Sequence, residues 1–384
     1  MFGKKETKPV KFLIFFLADL IAIRKPDKIV PKTLLLVRMD TIGDYVLFRN
    51  FIEILKKSVQ YKDYQITLCG NIIWKDIALA FDKEFINDFI WINTDKFDEN
   101  IFYRFKILRN ISQKGFEIAI QPSFTRLFSY GDSIIKASYA NIKIGSIGDP
   151  KSIKKWKKNI SDKYYTKLID ATHEILFEFD RNKEFFNFLL NKNIFIKKPD
   201  IKIDNINSDI IPNESFVIIS PGAGKAFRQW HVSNFIEISN FISNKYNLKI
   251  VVIGSSKDKK LALIIKQKVN HSNIIDLTEK TSLIELAKLI SRAKLLISND
   301  TGAAHIALAV DTSAIIISCG HHFKRFTQCP EEISNKMQYI YPEEIMDKIN
   351  EINYYNVESN IPIIDINKIK VNNVIPLIKN VLGN

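Results

Sequence analysis

The feature that most constrains this chain is a series of short apolar runs, each ending on glycine or a polar turn and each followed by a helical pattern. In the C-terminal half the runs are Phe216–Ser220, Leu248–Ile253, Asn273–Leu277, Lys294–Ser298 and Ser313–Ser318. Helical spacing occupies Val232–Tyr246, Lys257–Val269, Ser282–Ala293 and Gly302–Ala309, with Ser282 and Glu285 forming a capping box. Strands that are apolar throughout must be covered on both faces, and helices between them supply the cover. The pattern therefore predicts an α/β, doubly wound parallel sheet of Rossmann type.

The N-terminal half repeats the plan less cleanly. Thr33–Arg38 reads as a strand and Asp44–Lys57 as a helix. Tyr64–Cys69, Phe89–Ile92, Glu117–Gln121 and Asn141–Ile144 are further strand candidates, with helical patterns at Tyr103–Ile111 and Leu127–Ala137. The lysine-rich stretch 148–168 reads as an exposed loop, Thr166–Asn191 as a long helical segment and Lys197–Glu214 as a linker. At 384 residues, two domains are expected, 1–200 and 201–384, closed by a helix within Asp365–Asn384. Two facing sheets of this kind would leave a central cleft at their strand C-termini, where open α/β sheets bind ligands.

A formal net charge of +14 favours an anionic partner: nucleic acid, an anionic membrane or a phosphorylated small molecule. Three cysteines, Cys69, Cys319 and Cys329, with no C-x-x-C pair, form neither a disulfide framework nor a standard zinc site. That usage fits a reducing, cytoplasmic compartment. His321 and His322 stand between two of the cysteines, at a spacing that matches no standard ligand set.

Residues 1–32 form a basic and apolar extension. Lys4, Lys5, Lys8 and Lys11 precede the run Phe12–Ile23, which Asp19 interrupts and Arg24 and Lys25 close. The run is too short to span a bilayer. It reads either as a helix lying on anionic lipid or as a helix packed on the protein's own surface, since both share one pattern.

The loops that leave strands hold the candidate chemistry. Arg38-Met39-Asp40-Thr41-Ile42-Gly43-Asp44 brings two carboxylates to a helix start, where Asp44 reads as a helix cap or as a general base. Ser220-Pro221-Gly222-Ala223-Gly224-Lys225, with Arg228 beyond it, combines small residues and cations around an anion site, or makes a plain strand-to-helix turn. Gly254, Ser255 and Asp258 form another such turn, with Asp258 either on a ribose or simply starting a helix. Asn299-Asp300-Thr301-Gly302 opens a helix with unencumbered N–H groups, the arrangement that holds phosphate. His305 follows one turn later, toward the ligand or packed inward. Arg126, after the Glu117–Gln121 strand, is a candidate contact for an anionic acceptor.

Taken in order, these segments resemble glycosyltransferase family 9, the heptosyltransferase-like enzymes of bacterial surface-polysaccharide assembly. The resemblance rests on Arg38–Asp44, Ser220–Gly224 with Arg228-Gln229-Trp230, Leu277-Thr278 with Thr281-Ser282-Leu283, and Asn299–His305. It covers about residues 33–330. It implies a GT-B fold and an inverting transfer from a nucleotide-diphosphate sugar, typically ADP-heptose, to a lipopolysaccharide-type or other surface glycan. It further implies Asp44 as the base on the acceptor hydroxyl, Arg228 and Asp300–Gly302 on the diphosphate, and Asp258 on the ribose. Three departures stand out: arginine replaces lysine at 228, Glu279 occupies a usual glycine position, and Gly320–Phe326 is unlike the typical enzymes.

The resulting expectation is a monomeric enzyme with an anionic glycan or glycolipid acceptor, reaching the cytoplasmic face of the inner membrane as a peripheral protein. No D-x-D sequence occurs, so no metal or other cofactor is expected. A nucleotide-sugar epimerase, which needs no acceptor, is the alternative on the same fold. Outside it stand a nucleotide-sugar sensor and a basic nucleic-acid-binding protein, although no binding motif interleaves basic and aromatic residues.

Overall fold

The computed structural model describes residues 9–203, 210–269, 273–346 and 364–383. Of the N-terminal lysines, Lys4, Lys5 and Lys8 lie outside the described residues, as does part of the expected linker. The chain divides into two compact units, Met1–Thr172 with Asp180–Phe195, and His173–Phe179 with Ile196–Asn384.

The first unit opens with helix α1 (Pro9–Ala22) and continues as β1 (Val30–Arg38), α2 (Ile42–Phe48), α3 (Asn50–Lys57), β2 (Gln65–Asn71), α4 (Lys75–Phe81) and β3 (Asp88–Ile92). It goes on through α5 (Thr94–Glu99), α6 (Ile101–Gln113), β4 (Phe116–Gln121), α7 (Ser133–Ala137), β5 (Ile142–Ser146), α8 (Lys155–Ser161) and β6 (Lys167–Ile169). Helix α9 (Glu178–Leu190) follows, most of it in this unit. The six strands are parallel in the order β3-β2-β1-β4-β5-β6.

The second unit repeats that order. It carries β7 (Phe216–Ser220), α10 (Val232–Tyr246), β8 (Lys249–Val252), α11 (Lys259–Lys268), β9 (Ile274–Asp276), α12 (Leu283–Arg292), β10 (Leu295–Asn299), α13 (Gly302–Ala309), β11 (Ala314–Ile317) and β12 (Met337–Ile340). A closing helix, Val371–Leu382, completes it. The sheet runs β12-β11-β10-β7-β8-β9, parallel throughout. Counted from each unit's first strand, both sheets read 3-2-1-4-5-6, the doubly wound nucleotide-binding order. Val217, Ile219, Val252, Ile297 and Ile317 pack with Trp230, Phe235 and the closing helix in one buried cluster.

Three sequence expectations are corrected. Thr166–Asn191 is not one helix: β6 takes its start, and helix begins only at Glu178. Glu178 is buried there against Arg325. The expected loop 148–168 contains α8. Helix α2 begins at Ile42 rather than Asp44, because Thr41 is its N-cap.

Candidate active site

In a 3-2-1-4-5-6 sheet the chain departs in opposite directions from strands 1 and 4, leaving a crevice at their C-terminal ends. In the second unit those strands are β7 and β10, paired through Ser298 and Ser220. Their outgoing loops are the Ser220–Arg228 and Asn299–Gly302 segments, so the topology itself brings the two predicted anion-binding loops together.

Asn299 ties the loops to each other. Its buried Nδ2 donates to the carbonyls of Pro221 (2.8 Å) and Gly222 (3.1 Å), and its Oδ1 accepts from Trp230 N–H (3.1 Å). The amide is thereby occupied by backbone, which makes Asn299 the brace of the crevice rather than a side chain turned toward a ligand. Trp230, fully buried, donates Nε1–H to Ile369 O at 2.9 Å and fixes the far end of the loop.

Arg228 reaches back across this brace. Its Nη2 donates to Asp300 O at 2.8 Å and forms an ion pair with the buried Asp300 carboxylate. Nε of Arg228 is buried without a hydrogen-bond partner. Beside the pair, Thr301 caps α13, its hydroxyl 3.1 Å from Ser298 Oγ. The N–H groups of Gly302 and Ala303 fall in the first turn, where the helix offers no acceptor. A cation, a buried carboxylate that orients it, and orphan donors at a helix start converge within one crevice. Lys225 stands exposed on the adjoining loop. Ser220, at the end of β7, is buried.

Asp258 forms the third wall. Its Oδ2 accepts from Ser255 N (2.7 Å) and Ser255 Oγ (2.8 Å) in a capping box, while Oδ1 carries no hydrogen bond. The side chain lies where a Cβ on Gly222 or Gly254 would have to be: 2.3 Å from its Oδ1 in the first case and 2.8 Å from its Cβ in the second. Those two glycines therefore make room for a carboxylate. A Cβ at Gly224, by contrast, would meet nothing within 4 Å, so its vicinity is open. Ala223 sits half-buried between them.

His305 is buried in α13 with its ring edge-on to Phe326 at 6.3 Å. His321 stacks edge-on against Phe227 of the Arg228 loop at 5.6 Å, and its ring lies 3.8 Å from that of His322. The Gly320–Gln328 segment carrying them holds Gly320, His322, Lys324 and Gln328 at φ between 58° and 80°. Burial pushes the neighbouring Cys319 thiol above its ordinary range. Among the described residues no three His, Cys, Asp or Glu side chains are grouped as a metal site would require.

The equivalent crevice of the first unit lies between β1 and β4. Asp40, just past β1, accepts from Ser123 Oγ beyond β4 at 2.8 Å and pairs with the fully buried Arg38 at 2.8 Å. Asp44 occupies the third position of α2. Its Oδ2 accepts from Thr41 N (3.1 Å) and Thr41 Oγ (2.5 Å). Among the described residues its Oδ1 has no hydrogen bond, and the residue is half-buried. The cap and the base readings of Asp44 thus use different oxygens of one carboxylate.

Arg126 departs from expectation. It is buried at 1% exposure, with Nε and Nη2 on Asp132 (3.1 and 3.2 Å), Nη2 also on Ser161 Oγ (3.0 Å) and Nη1 on Asp162 (2.7 Å) and Ser146 O (3.3 Å). Tyr165 stacks over the guanidinium at 4.5 Å. All five of its donors are spoken for, so Arg126 holds the β4–β5 loops together and has nothing left for an acceptor. Local pattern does not reveal this, because Ser161 and Asp162 lie 35 and 36 residues away, and Asp132, only six away, is turned inward by the fold.

A sequence profile of glycosyltransferase family 9 (heptosyltransferase) matches residues 133–340, just over half of the chain. The lipopolysaccharide core heptosyltransferase OpsX of Haemophilus influenzae is 30% identical over 107 residues, 28% of this chain and 30% of that protein. The match thus spans under a third of this curated relative. Among solved structures, a family 9 glycosyl transferase from Veillonella parvula superposes with a TM-score of 0.67 at 16% identity, covering 94% of this chain and 99% of that one. Heptosyltransferase WaaC of E. coli, solved with ADP-2-deoxy-2-fluoro heptose, gives 0.67 at 12% identity, covering 91% and 99%. At such identities the likeness is one of fold, and the fold is GT-B.

Proposed function

Because the chain belongs to glycosyltransferase family 9, we propose that it transfers a heptose from ADP-heptose to a surface-glycan acceptor with inversion of the anomeric centre. The observation that carries the reading is the anion cradle of the second unit, where Arg228, Lys225 and the start of α13 surround the β7–β10 crevice. A nucleotide diphosphate is the ligand such a cradle fits. The E. coli relative that was solved with an ADP-heptose analogue supports the choice of nucleotide and sugar.

In this reading Ser220, Gly222, Ala223 and Gly224 lend backbone to the donor, with Gly254 and Ser255 beside them. Asp258 offers its unbonded Oδ1 to a ribose hydroxyl. Asn299 and His305 act by holding the loop and helix that meet the phosphates. Asp300 orients Arg228, and Thr301 and Gly302 set the helix start. The first unit, residues 1–200 in outline, takes the acceptor. There Asp44 Oδ1 accepts the proton of the acceptor hydroxyl while that oxygen bonds to the anomeric carbon. The bond from that carbon to the diphosphate breaks, and the departing charge meets Arg228, Lys225 and the α13 amides. Donors fixed before the reaction stabilise such charge without reorganising.

A ligand that binds only the native state raises its melting temperature. ADP-heptose is expected to do so more than ADP, GDP-sugars or UDP-sugars, and the sugar to appear on an acceptor only when one is added. Donor consumed without acceptor would replace the transferase reading with an epimerase. Binding of generic DNA with no donor binding would overturn both.

A further inference from the structure

Helix α1 is apolar on two faces, and among the described residues only one of them has a partner. Its inner face sets Phe12 against Phe128 (5.6 Å), buries Ala22 and directs Asp19 inward. Asp19 receives Nε and Nη2 of the buried Arg104, both at 2.6 Å, and Arg104 also donates to Ser129 O and Ser133 Oγ. The charge that interrupts the apolar run in sequence is therefore the anchor of the helix. Its outer face consists of Leu13, Ile14, Leu17, Leu20 and Ile21, spaced as one helical stripe and 47–64% exposed. No charged residue interrupts that stripe. A surface helix in water normally turns a polar face outward, so this apolar outer stripe lacks a covering among the described residues.

The surroundings say what kind. Trp156 on α8, 48% exposed, meets Phe12 edge-on at 5.4 Å, and Lys157 lies over the Phe12 ring at 4.6 Å. Between residues 151 and 167 there are seven lysines against one acid, Asp162, which is paired to Arg126 and Lys158. Lys151, Lys154, Lys155, Lys163 and Lys167 are exposed. At the other end of α1, Arg109 donates to Ile21 O at 2.9 Å. An apolar stripe, a half-exposed tryptophan and a basic margin are what an interface between acyl chains and anionic headgroups accepts. Among the described residues no helix is long and apolar enough to cross a membrane.

We propose that the outer face of α1, with Trp156 and the lysines of 151–167, docks on an anionic phospholipid surface, α1 lying in its plane. This does not rest on the reading of the reaction, and donor binding is measured separately. The test is co-sedimentation of the full chain with vesicles of phosphatidylglycerol and phosphatidylcholine, or of phosphatidylcholine alone. Binding is expected to anionic vesicles, weakening with salt, and to fall about tenfold or more in Leu17→Glu/Ile21→Glu. Lys154→Glu/Lys155→Glu is expected to weaken binding at low salt and leave the melting temperature unchanged. Equal binding by wild type and Leu17→Glu/Ile21→Glu overturns the proposal, as does no binding at all. Sedimentation velocity of the same variant covers the other occupant. A wild-type dimer that the variant splits, with vesicle binding unaltered, would assign the face to a second copy of the chain.

Discussion

In the proposed reaction Asp44 serves as both helix cap and base, one carboxylate oxygen for each. Oδ2 is committed to Thr41, while Oδ1 is unbonded. Asp44→Asn keeps an oxygen for the cap and removes the proton acceptor. It is expected to lower kcat by about 10²–10⁴ while changing stability by less than about 1 kcal/mol. Steady-state rates beside a melting curve check both, and an unaltered kcat would remove Asp44 from the chemistry. Arg228→Ala acts differently, since it strands the buried Asp300 as well as removing the proposed diphosphate contact. A loss of about 2 kcal/mol or more in chemical denaturation is expected, with nucleotide affinity reduced roughly a hundredfold. Arg228→Lys, which keeps charge without the fork, should fall between. In sequence Arg228 and Arg126 looked alike, each a cation shortly after a strand. Which one is caged depends on side chains that only folding assembles, so Arg126 was beyond the reach of local pattern. For the same reason Asn299 read as a ligand contact, although its amide is consumed by Pro221, Gly222 and Trp230.

Elements were legible where the physics that shapes them is local. Central strands are apolar throughout because helices cover both faces, and β7, β8, β10 and β11 stand out for that reason. The strands that escaped notice are β6 and β12, each the sixth in its sheet and paired on one side only. Their sequences, Lys167-Leu168-Ile169 and Met337-Gln338-Tyr339-Ile340, are short and mixed, as an edge permits. Turns yield a sharper experiment. Gly222→Ala and Gly254→Ala drive a methyl into Asp258, which Ser255 holds in place, and each is expected to cost about 1–3 kcal/mol in denaturant unfolding. Gly224→Ala meets no protein atom and should leave stability alone. If phosphate approaches that backbone, the same methyl must weaken donor binding, so calorimetry on a stable variant isolates the ligand's demand. Glu279, at φ 61°, occupies a left-handed turn whose N–H donates to Gly254 O at 2.9 Å. Its departure from glycine is thus a strained one, relieved in part by an exposed ion pair with Lys259. Glu279→Gly should stabilise the chain by about 0.5–1 kcal/mol, and an equal or lower melting temperature would mean the ion pair outweighs the strain.

At the scale of the whole molecule, one topology is used twice, each crevice holding an internal ion pair, Arg38 with Asp40 in the first and Arg228 with Asp300 in the second. The crevice of the first sheet presents Asp40 and Asp44, and that of the second presents Arg228, Lys225 and a helix N-terminus. In the proposed reaction an anion belongs in the second, and a group losing a proton in the first. Nucleotide binding to the full chain should therefore survive Asp44→Asn and weaken roughly a hundredfold in Arg228→Ala. The same division bears on metal use. Many transferases neutralise a departing diphosphate with a divalent ion held by acidic residues. Here the charged side chains around the second crevice are the cations Arg228 and Lys225 and the carboxylates Asp300 and Asp258. Each of those carboxylates already serves a neighbour, Asp300 the guanidinium of Arg228 and Asp258 the cap at Ser255. A divalent ion there would have to displace Arg228 from Asp300 and would then compete with it for the same phosphate oxygens. Transfer is accordingly expected to proceed at an unchanged rate in excess EDTA, and added Mg²⁺ should not raise kcat/KM. Activity lost to chelator and restored by Mg²⁺ or Mn²⁺ would mean that Arg228 and α13 do not carry the leaving charge.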